Sequence, residues 1–449
     1  MTAMSPTATG KPTVDINSNE PAQSFDELLN YTIARPTPRD RTRCVICKGS
    51  RRLCGKDSCP VLMRYQSFAR SMPLIDGMEI SGSSPPGIFV GRVGYPQVSI
   101  GPLIPPVTGD TSDYDTPEHW LGKGISDIID FRSRLVRGKH RVGIFDVEKR
   151  DRIVELTREM ALASEPVDAE ATFSKKPVGR IVLNDDVQPF GPSAPILKLD
   201  TDNIKFDNRI EKAFYDTDLR AAEAALALYR SGTMISKIQK AFSVGAFGLK
   251  KNRRFVPTRW SITAVDSIIG SDLMTRVRQH PWINEFRIYE NYELDNRWII
   301  IMTPDRWCYE LIEAWYPNTA WNPAGSTIAI YSSHEFYEGR KTYAEIGGCY
   351  YSARLASCEL LDAERRQAGV CIMRETHPGY IMPVGVWNVR ENVRAALRKP
   401  PKRFSNIRDA LYHAATRLDI PIKRWIQNSA VLRHTLYQRK LESWGEYSE

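Results

Sequence analysis

Apolar residues recur along this chain at two different periods, and the places where one period gives way to the other mark the expected elements. The segment SGSSPPGIFVGRVGYPQVSIGPLIPPVTGD carries short apolar runs at Gly87–Val90 and Val98–Ile100, each bounded by glycine and proline, which predicts strands joined by turns. Helical spacing governs 124–137 (GISDIIDFRSRLVR) and 148–162. A strand is expected near Arg180–Leu183, then a proline-rich link at 189–195, then mostly helix from 208 to 242. The β-rich runs Arg287–Leu294 and Arg297–Met302 flank Asp295-Asn296, a pair that tolerates left-handed torsions and so predicts a two-residue hairpin. Further on, the pattern predicts a strand at Thr327–Tyr331, a helix over 352–367, a strand at Val370–Arg374 and a helical C-terminal region broken at Pro400-Pro401 and Pro421.

There is no internal repeat and no strict βαβ rhythm, so the expected class is α+β: a mixed, multi-layer body with a small N-terminal four-cysteine module and a helical C-terminal region. Five segments are expected: a disordered polar leader at 1–38, the cysteine module at 39–65, a Pro/Gly-rich α+β region at 66–205, a basic α+β body at 206–435 and a tail at 436–449.

Composition narrows the class. At 449 residues, 42% hydrophobic and 26% charged, the chain is long enough for more than one core. No run of eighteen apolar residues occurs, and MTAMSPTATGKPTVDINSNEPAQ lacks the apolar stretch of a secretory signal, so a cytoplasmic protein without a membrane partner is expected. The 62 Lys and Arg exceed the 53 Asp and Glu, giving +9 and a pI near 9.0, a balance that favours polyanionic partners without specifying one.

Four of the eight cysteines crowd into CVICKGSRRLCGKDSCP as Cys44, Cys47, Cys54 and Cys59. So short and polar a segment cannot bury four thiols in a core of its own, whereas thiolates bind zinc tetrahedrally at about 2.3 Å and a C-x2-C turn presents two of them together. The expectation is a structural zinc ion with all four positions filled by protein. Cys308, Cys349, Cys358 and Cys371 lie in apolar or aromatic surroundings and read as small buried hydrophobes.

Three further segments carry chemistry. At the C-terminus, Gln438, Leu441 and Trp444 fall on one face of a single helical turn, which resembles the peptide that repair and replication enzymes insert into the sliding clamp PCNA. Gly445 stands where that peptide usually has a second aromatic residue. Between Asp218 and Gly248, two helical stretches meet at Gly232, the spacing of a helix-turn-helix; an αα-hairpin packed into the core is the competing reading. Directly after it, Lys250, Lys251, Arg253, Arg254 and Arg259 are interleaved with Phe255 and Trp260, a mixture suited to phosphate contact and base stacking.

Carboxylates give weaker signals. Asp216 and Asp218 are candidates to hold Mg²⁺ or Mn²⁺ in a nuclease, against the plainer reading that they favour the start of a helix. Glu310 and Glu313 are expected to share a helical face, and Asp110, Asp113, Asp115 and Glu118 crowd a loop.

Taken together, the cysteine module, GIFVGRVGYPQVSIGPL, YDTDLRAAEAALALY, LKKNRRFVPTRWSITAVD, GGCYYSARLA and the Trp-bearing tail resemble the archaeal Nre family of DNA repair proteins from about residue 40 to the end. The resemblance implies a role in DNA damage repair, a zinc finger at the four cysteines and a clamp-binding motif at 438–445. It carries over no catalytic residue. Two functional classes therefore stay open, a metal-dependent nuclease that acts at the clamp and a non-catalytic DNA-binding adaptor that recruits other enzymes there. An RNA-directed factor is a third.

Overall fold

The computed structural model describes residues 59, 62, 63, 66, 67, 75, 77–178, 190–323 and 325–437. The strand expected at Arg180–Leu183 lies outside them, as do Cys44, Cys47, Cys54, Gln438, Leu441, Trp444 and Gly445.

Two six-stranded sheets organise the chain. The first uses β1 (Glu79–Ser84), β2 (Ile88–Val90), β3 (Gln97–Ile104), β4 (Val136–Gly143), β5 (Val167–Phe173) and β6 (Ser193–Thr201), in the order β1-β5-β6-β4-β3-β2. The second uses β7 (Phe286–Glu293), β8 (Asn296–Thr303), β9 (Cys308–Trp315), β10 (Ala329–Glu335), β11 (Gly369–Thr376) and β12 (Lys402–Phe404), in the order β10-β9-β11-β8-β7-β12. Each sheet has one parallel pair, β4 with β6 and β9 with β11, among antiparallel ones. Mixed sheets with helices grouped between and behind them bear out the α+β class.

Helices fill the space between the sheets. α1 (Ile125–Arg134) and α2 (Arg152–Leu162) belong to the first half. α3 (Asn208–Tyr215), α4 (Ala221–Arg230), α5 (Ile235–Ser243) and α6 (Thr258–Val277) follow, then α7 (Gly348–Ala363) and α8 (Trp387–Leu397). α2 packs on β3 and β6, α5 on α2 and α6, α6 on α7, and α7 and α8 on the second sheet. α9 (Ile407–Ala415), α10 (Ile422–Asn428) and α11 (Ala430–Tyr437) cover that sheet's far face.

Strand periodicity explains how the second sheet is covered twice. On β8, Ile300 and Met302 enter the large central core while Ile299 and Ile301 enter the core under α9–α11. β11 divides the same way, Val370 and Ile372 against Cys371 and Met373. All eight residues of β9 and of β11 are buried, and each buried Ile or Val on them contributes about 1.5–3 kcal/mol.

Most expected elements are found with shifted ends, and three differ in kind. The hairpin turn is Leu294-Asp295, with φ of 49° and 55°, because Asn296 is needed inside: its Oδ1 accepts hydrogen bonds from Arg374 Nε at 2.9 Å and Thr376 Oγ1 at 3.0 Å. Glu310 and Glu313 lie on strand β9, on opposite faces, and share no helical face. Glu310 is wholly buried, accepting from Ser429 Oγ and from the N–H groups of Ala430 and Val431 (both 3.0 Å), so it caps α11. Glu313 pairs with Arg374 at 2.7 Å. Third, the stretch read as helical to 137 ends at Arg134, and the chain turns into β4 at Val136. Cys308, Cys358 and Cys371 are buried as expected and Cys349 is half-buried; burial pushes the Cys308 thiol up to about 12.

Candidate nucleic-acid interface

β4 reads V-R-G-K-H-R-V-G, and strand geometry sends alternate residues to opposite faces. Val136, Gly138 and Val142 are buried on the inner face, where His140 Nε2 also meets Asp151 Oδ2 at 2.7 Å. Arg137, Lys139 and Arg141 therefore stand in a row on the outer face, Arg137 opposite Leu103 and Arg141 opposite Ser99 of β3. Lys139 and Arg141 are exposed and Arg137 is half-buried. The Arg137 guanidinium lies 4.0 Å from the centre of the Phe89 ring and 4.9 Å from that of Phe190, with Nε buried and bonded to nothing. Burial, reinforced by repulsion from Arg132 and opposed by Asp115, pushes its pKa down to about 9.

The segment 250–260 docks beside this row. Phe255 N–H donates to Ile144 O at 2.8 Å and Val90 N–H to Thr258 Oγ1 at 2.9 Å, which ties the start of α6 to the ends of β4 and β2. The turn between β2 and β3 completes the surface. Gly94 sits beside the Arg141 guanidinium at φ +86°, a left-handed conformation that favours glycine. Tyr95 and Trp260 meet with ring centroids 5.1 Å apart, and partial burial plus repulsion from Arg259 lowers the pKa of Arg92. None of Arg92, Arg141, Arg254 and Arg259 forms an ion pair with a carboxylate among the described residues.

Of the residues singled out from sequence, Lys250, Lys251, Arg254 and Arg259 are exposed and Trp260 is half-buried. Arg253 is a correction. It is only 6% exposed, and its guanidinium donates to Gly248 O at 2.9 Å and Asp216 O at 2.8 Å over the Phe214 ring, so it holds the loop from inside. Phe255 is likewise in the core. The helix-turn-helix reading gives way to the packed hairpin: no residue of α5 is exposed, Lys237 donates to Ser164 O and Lys240 to Asp115 O. Sequence reasoning missed Arg92, Arg137, Lys139, Arg141 and Tyr95; the alternating basic positions of β4 were the signal that could have found three of them.

Asp216 and Asp218 are exposed, and Asp216 Oδ1 accepts from the N–H groups of Asp218 at 3.1 Å and Leu219 at 3.0 Å, closing the turn before α4. Among the described residues no third His, Cys or carboxylate joins them at ligand distance. The loop acids have partners too: Asp115 binds Arg132 and Lys240, Asp113 binds His119, and Glu118 accepts from Ser236 N–H at 2.8 Å at the start of α5. They line or flank a cavity of about 100 Å³ that opens beside Thr258, walled by Trp120 and Trp387 and floored by Gln239 and Arg390. Ser236 Oγ is buried there without a partner. Arg390 is held by Asp266 at 3.0 and 3.1 Å, which makes this wall rigid.

Of the four cysteines read as zinc ligands, Cys59 alone is described, and it is half-buried. No helix among the described residues is long and apolar enough to cross a membrane.

The archaeal Nre N-terminal family model matches residues 53–322 and the archaeal Nre C-terminal model residues 335–444. DNA repair protein NreB of Archaeoglobus fulgidus is 39% identical over 393 residues, 87% of this chain and 97% of that protein. DNA repair protein NreA of the same organism is 38% identical over 84% of this chain and 94% of its own length. DNA repair protein NreA of Haloferax volcanii is 35% identical over 77% of this chain and 85% of its own. No solved structure matches. Matches of this extent across both halves of the chain establish that it belongs to the archaeal Nre family.

Proposed function

We propose that this chain is a DNA repair protein that holds DNA on the outer face of its first sheet. The observation that carries the reading is the grouping of Arg92, Arg141 and Arg259, which pair with no carboxylate among the described residues, around Tyr95 and Trp260. Holding like charges together costs energy unless a polyanion neutralises them, and phosphates do so while releasing counterions. The exposed Tyr95 ring beside the cations adds a surface on which a base can stack. The relatives, named as DNA repair proteins, support the choice of DNA as that polyanion.

The same reading includes a zinc ion on Cys44, Cys47, Cys54 and Cys59 as a structural staple, and a tail that docks on PCNA through Gln438, Leu441, Trp444 and Gly445. Tethering at the clamp would raise the local concentration at DNA without demanding tight DNA binding. Whether the body cuts DNA or recruits enzymes that do is decided by one experiment. Labelled single-stranded, duplex and forked DNA, with matched RNA, are incubated with the protein in Mg²⁺, Mn²⁺ or EDTA, and both retention and cleavage are read. Salt-sensitive binding without product under any metal makes it an adaptor, and metal-dependent product makes it a nuclease. No binding below about 0.1 M salt removes the DNA-binding reading. Removing 438–449 should abolish co-elution with PCNA and leave DNA retention unchanged.

A further inference from the structure

At the far end of the second sheet, away from the basic face, three side chains converge. Glu375 is the penultimate residue of β11, His377 follows the strand's end, and Asp419 comes from the loop between α9 and α10. One donor atom from each lies within 4.8 Å of the other two.

Two plain readings are an ion-paired histidine and a chance gathering of acids. The distances argue against the first. His377 Nε2 is 3.4 Å from Glu375 Oε2 and 3.9 Å from Asp419 Oδ2. Where this protein does hydrogen-bond a histidine to a carboxylate, the atoms close to 2.7 Å (His140–Asp151) and 3.0 Å (His119–Asp113). Nε2 of His377 instead is buried and makes no hydrogen bond at all, although it faces two acceptors. Spacing of this order fits donors to a shared metal ion. Donors at about 2.0–2.2 Å from one tetrahedral ion stand about 3.4 Å from each other.

Against the second, each donor is held in place from behind. Glu375 is fully buried, and its oxygens accept from the N–H groups of Asp419 at 3.1 Å and Ile420 at 2.8 Å, which ties the loop carrying the third donor to the strand carrying the first. Arg297 grips Asp419 Oδ1 at 2.6 Å and leaves Oδ2 turned to the histidine. Tyr316 stacks on the His377 ring at 4.4 Å, and the backbone N–H of His377 donates to the Asp295 carbonyl at 3.0 Å, fixing the chain there. Partners of this kind orient ligands in metal sites.

We infer that Glu375, His377 and Asp419 form a site for one divalent transition-metal ion. An imidazole with two carboxylates suits Mn²⁺ or Zn²⁺ better than Mg²⁺ or Ca²⁺, which take oxygen alone. Three protein donors leave coordination positions open, and Asp419, about half exposed at 49%, puts them toward solvent, where water or a phosphate oxygen can enter. The site uses none of the four cysteines and neither Asp216 nor Asp218, and it does not depend on DNA binding.

The test is Mn²⁺ titration of the full-length protein, purified with its zinc content measured, followed by electron paramagnetic resonance and calorimetry. Mn²⁺ does not displace zinc from thiolates, so the two sites are counted independently. One saturable Mn²⁺ per chain is expected, with affinity lowered about tenfold or more in both Asp419→Asn and His377→Gln. Metal should raise the melting temperature of the wild type and not of the variants. Asp419→Asn, at a half-exposed position that keeps its N–H bond to Glu375, serves as the variant that folds. Absence of saturable Mn²⁺ binding, or binding equal in wild type and Asp419→Asn, overturns the assignment.

Discussion

The first sheet leaves part of its outer face open to water, while the central strands of the second are buried on both faces, and their arginines follow suit. In the first sheet β5 alternates strictly, Val167, Ala169, Ala171 and Phe173 inward with Asp168, Glu170 and Thr172 outward. Its outer face can therefore carry charge at no cost in core volume, and on β4 that charge is Arg137, Lys139 and Arg141. The second sheet has no such freedom. Its most deeply buried arginine, Arg374, donates to Glu313 and Asn296 and lies 4.9 Å from the Trp298 and Trp315 ring centres and 5.3 Å from that of Tyr380. On the helices against it, Arg354 meets Glu335 at 3.0 Å and Arg394 meets Glu359 at 2.6 Å. The contrast separates two uses of one residue type: a guanidinium enclosed with its acid specifies how the core is assembled, while one left without an acid on a water-facing sheet is available to an outside anion.

Breaking an enclosed arginine should have the largest effect. Arg374→Ala leaves Glu313 buried without a cation and opens space among three rings, which is expected to cost about 3–5 kcal/mol in urea denaturation. The double variant with Glu313→Gln should recover part of that loss, because the stranded charge goes with it. A loss below about 1 kcal/mol in the single variant would mean that water reaches Glu313 and that the second sheet is open to solvent on that side.

Removing arginines from the open face should do the opposite. Arg92→Ala, Arg141→Ala and Arg259→Ala together are expected to leave stability nearly unchanged and weaken DNA binding on the order of 100-fold, about 3 kcal/mol. The slope of log affinity against log salt should fall by about 0.9 for each phosphate that is no longer neutralised. Equal affinity and slope in the triple variant would place the DNA elsewhere on the molecule.

How legible each sheet was follows from what its burial depends on. The strands β2 and β3 show in Gly87–Val90 and Val98–Ile100 because apolar alternation and bounding turns are local. β4 hides, since its inward positions include Gly138 and His140 and the apolar half of the alternation is missing. β9 hides for the converse reason. CYELIEAW buries two glutamates whose partners, Arg374 and the N–H groups at the start of α11, come from distant sequence, so their spacing suggested a helix face. Lys250, Lys251, Arg254 and Arg259 were legible as a basic run, but nothing in that run distinguishes Arg253, which bonds to carbonyls inside the loop. The Glu375–His377–Asp419 cluster was not legible at all, because its third member comes 44 residues after its first.

The smallest expected effect sharpens the comparison most, because it tests the inner face of the same strand that carries the basic row. Asp151 caps α2, accepting from Ile153 N–H at 3.0 Å and Val154 N–H at 3.3 Å, and its other oxygen meets His140 of β4. Burial works against the charged form, but the hydrogen bond from His140 and the two N–H groups outweigh it and hold the carboxyl below its ordinary value. A depressed folded value means that this contribution is present above about pH 4 and is lost as the pH falls through the lower folded value. Asp151→Ala should therefore cost about 1 kcal/mol at pH 7, and the gap from wild type should narrow toward pH 3. DNA affinity should not change, since the row Arg137, Lys139 and Arg141 points the other way. If Asp151→Ala weakened DNA binding as much as it weakened the fold, the two faces of β4 would be coupled, and the separation between an inner face for stability and an outer face for the polyanion would fail on the strand where it is drawn most sharply.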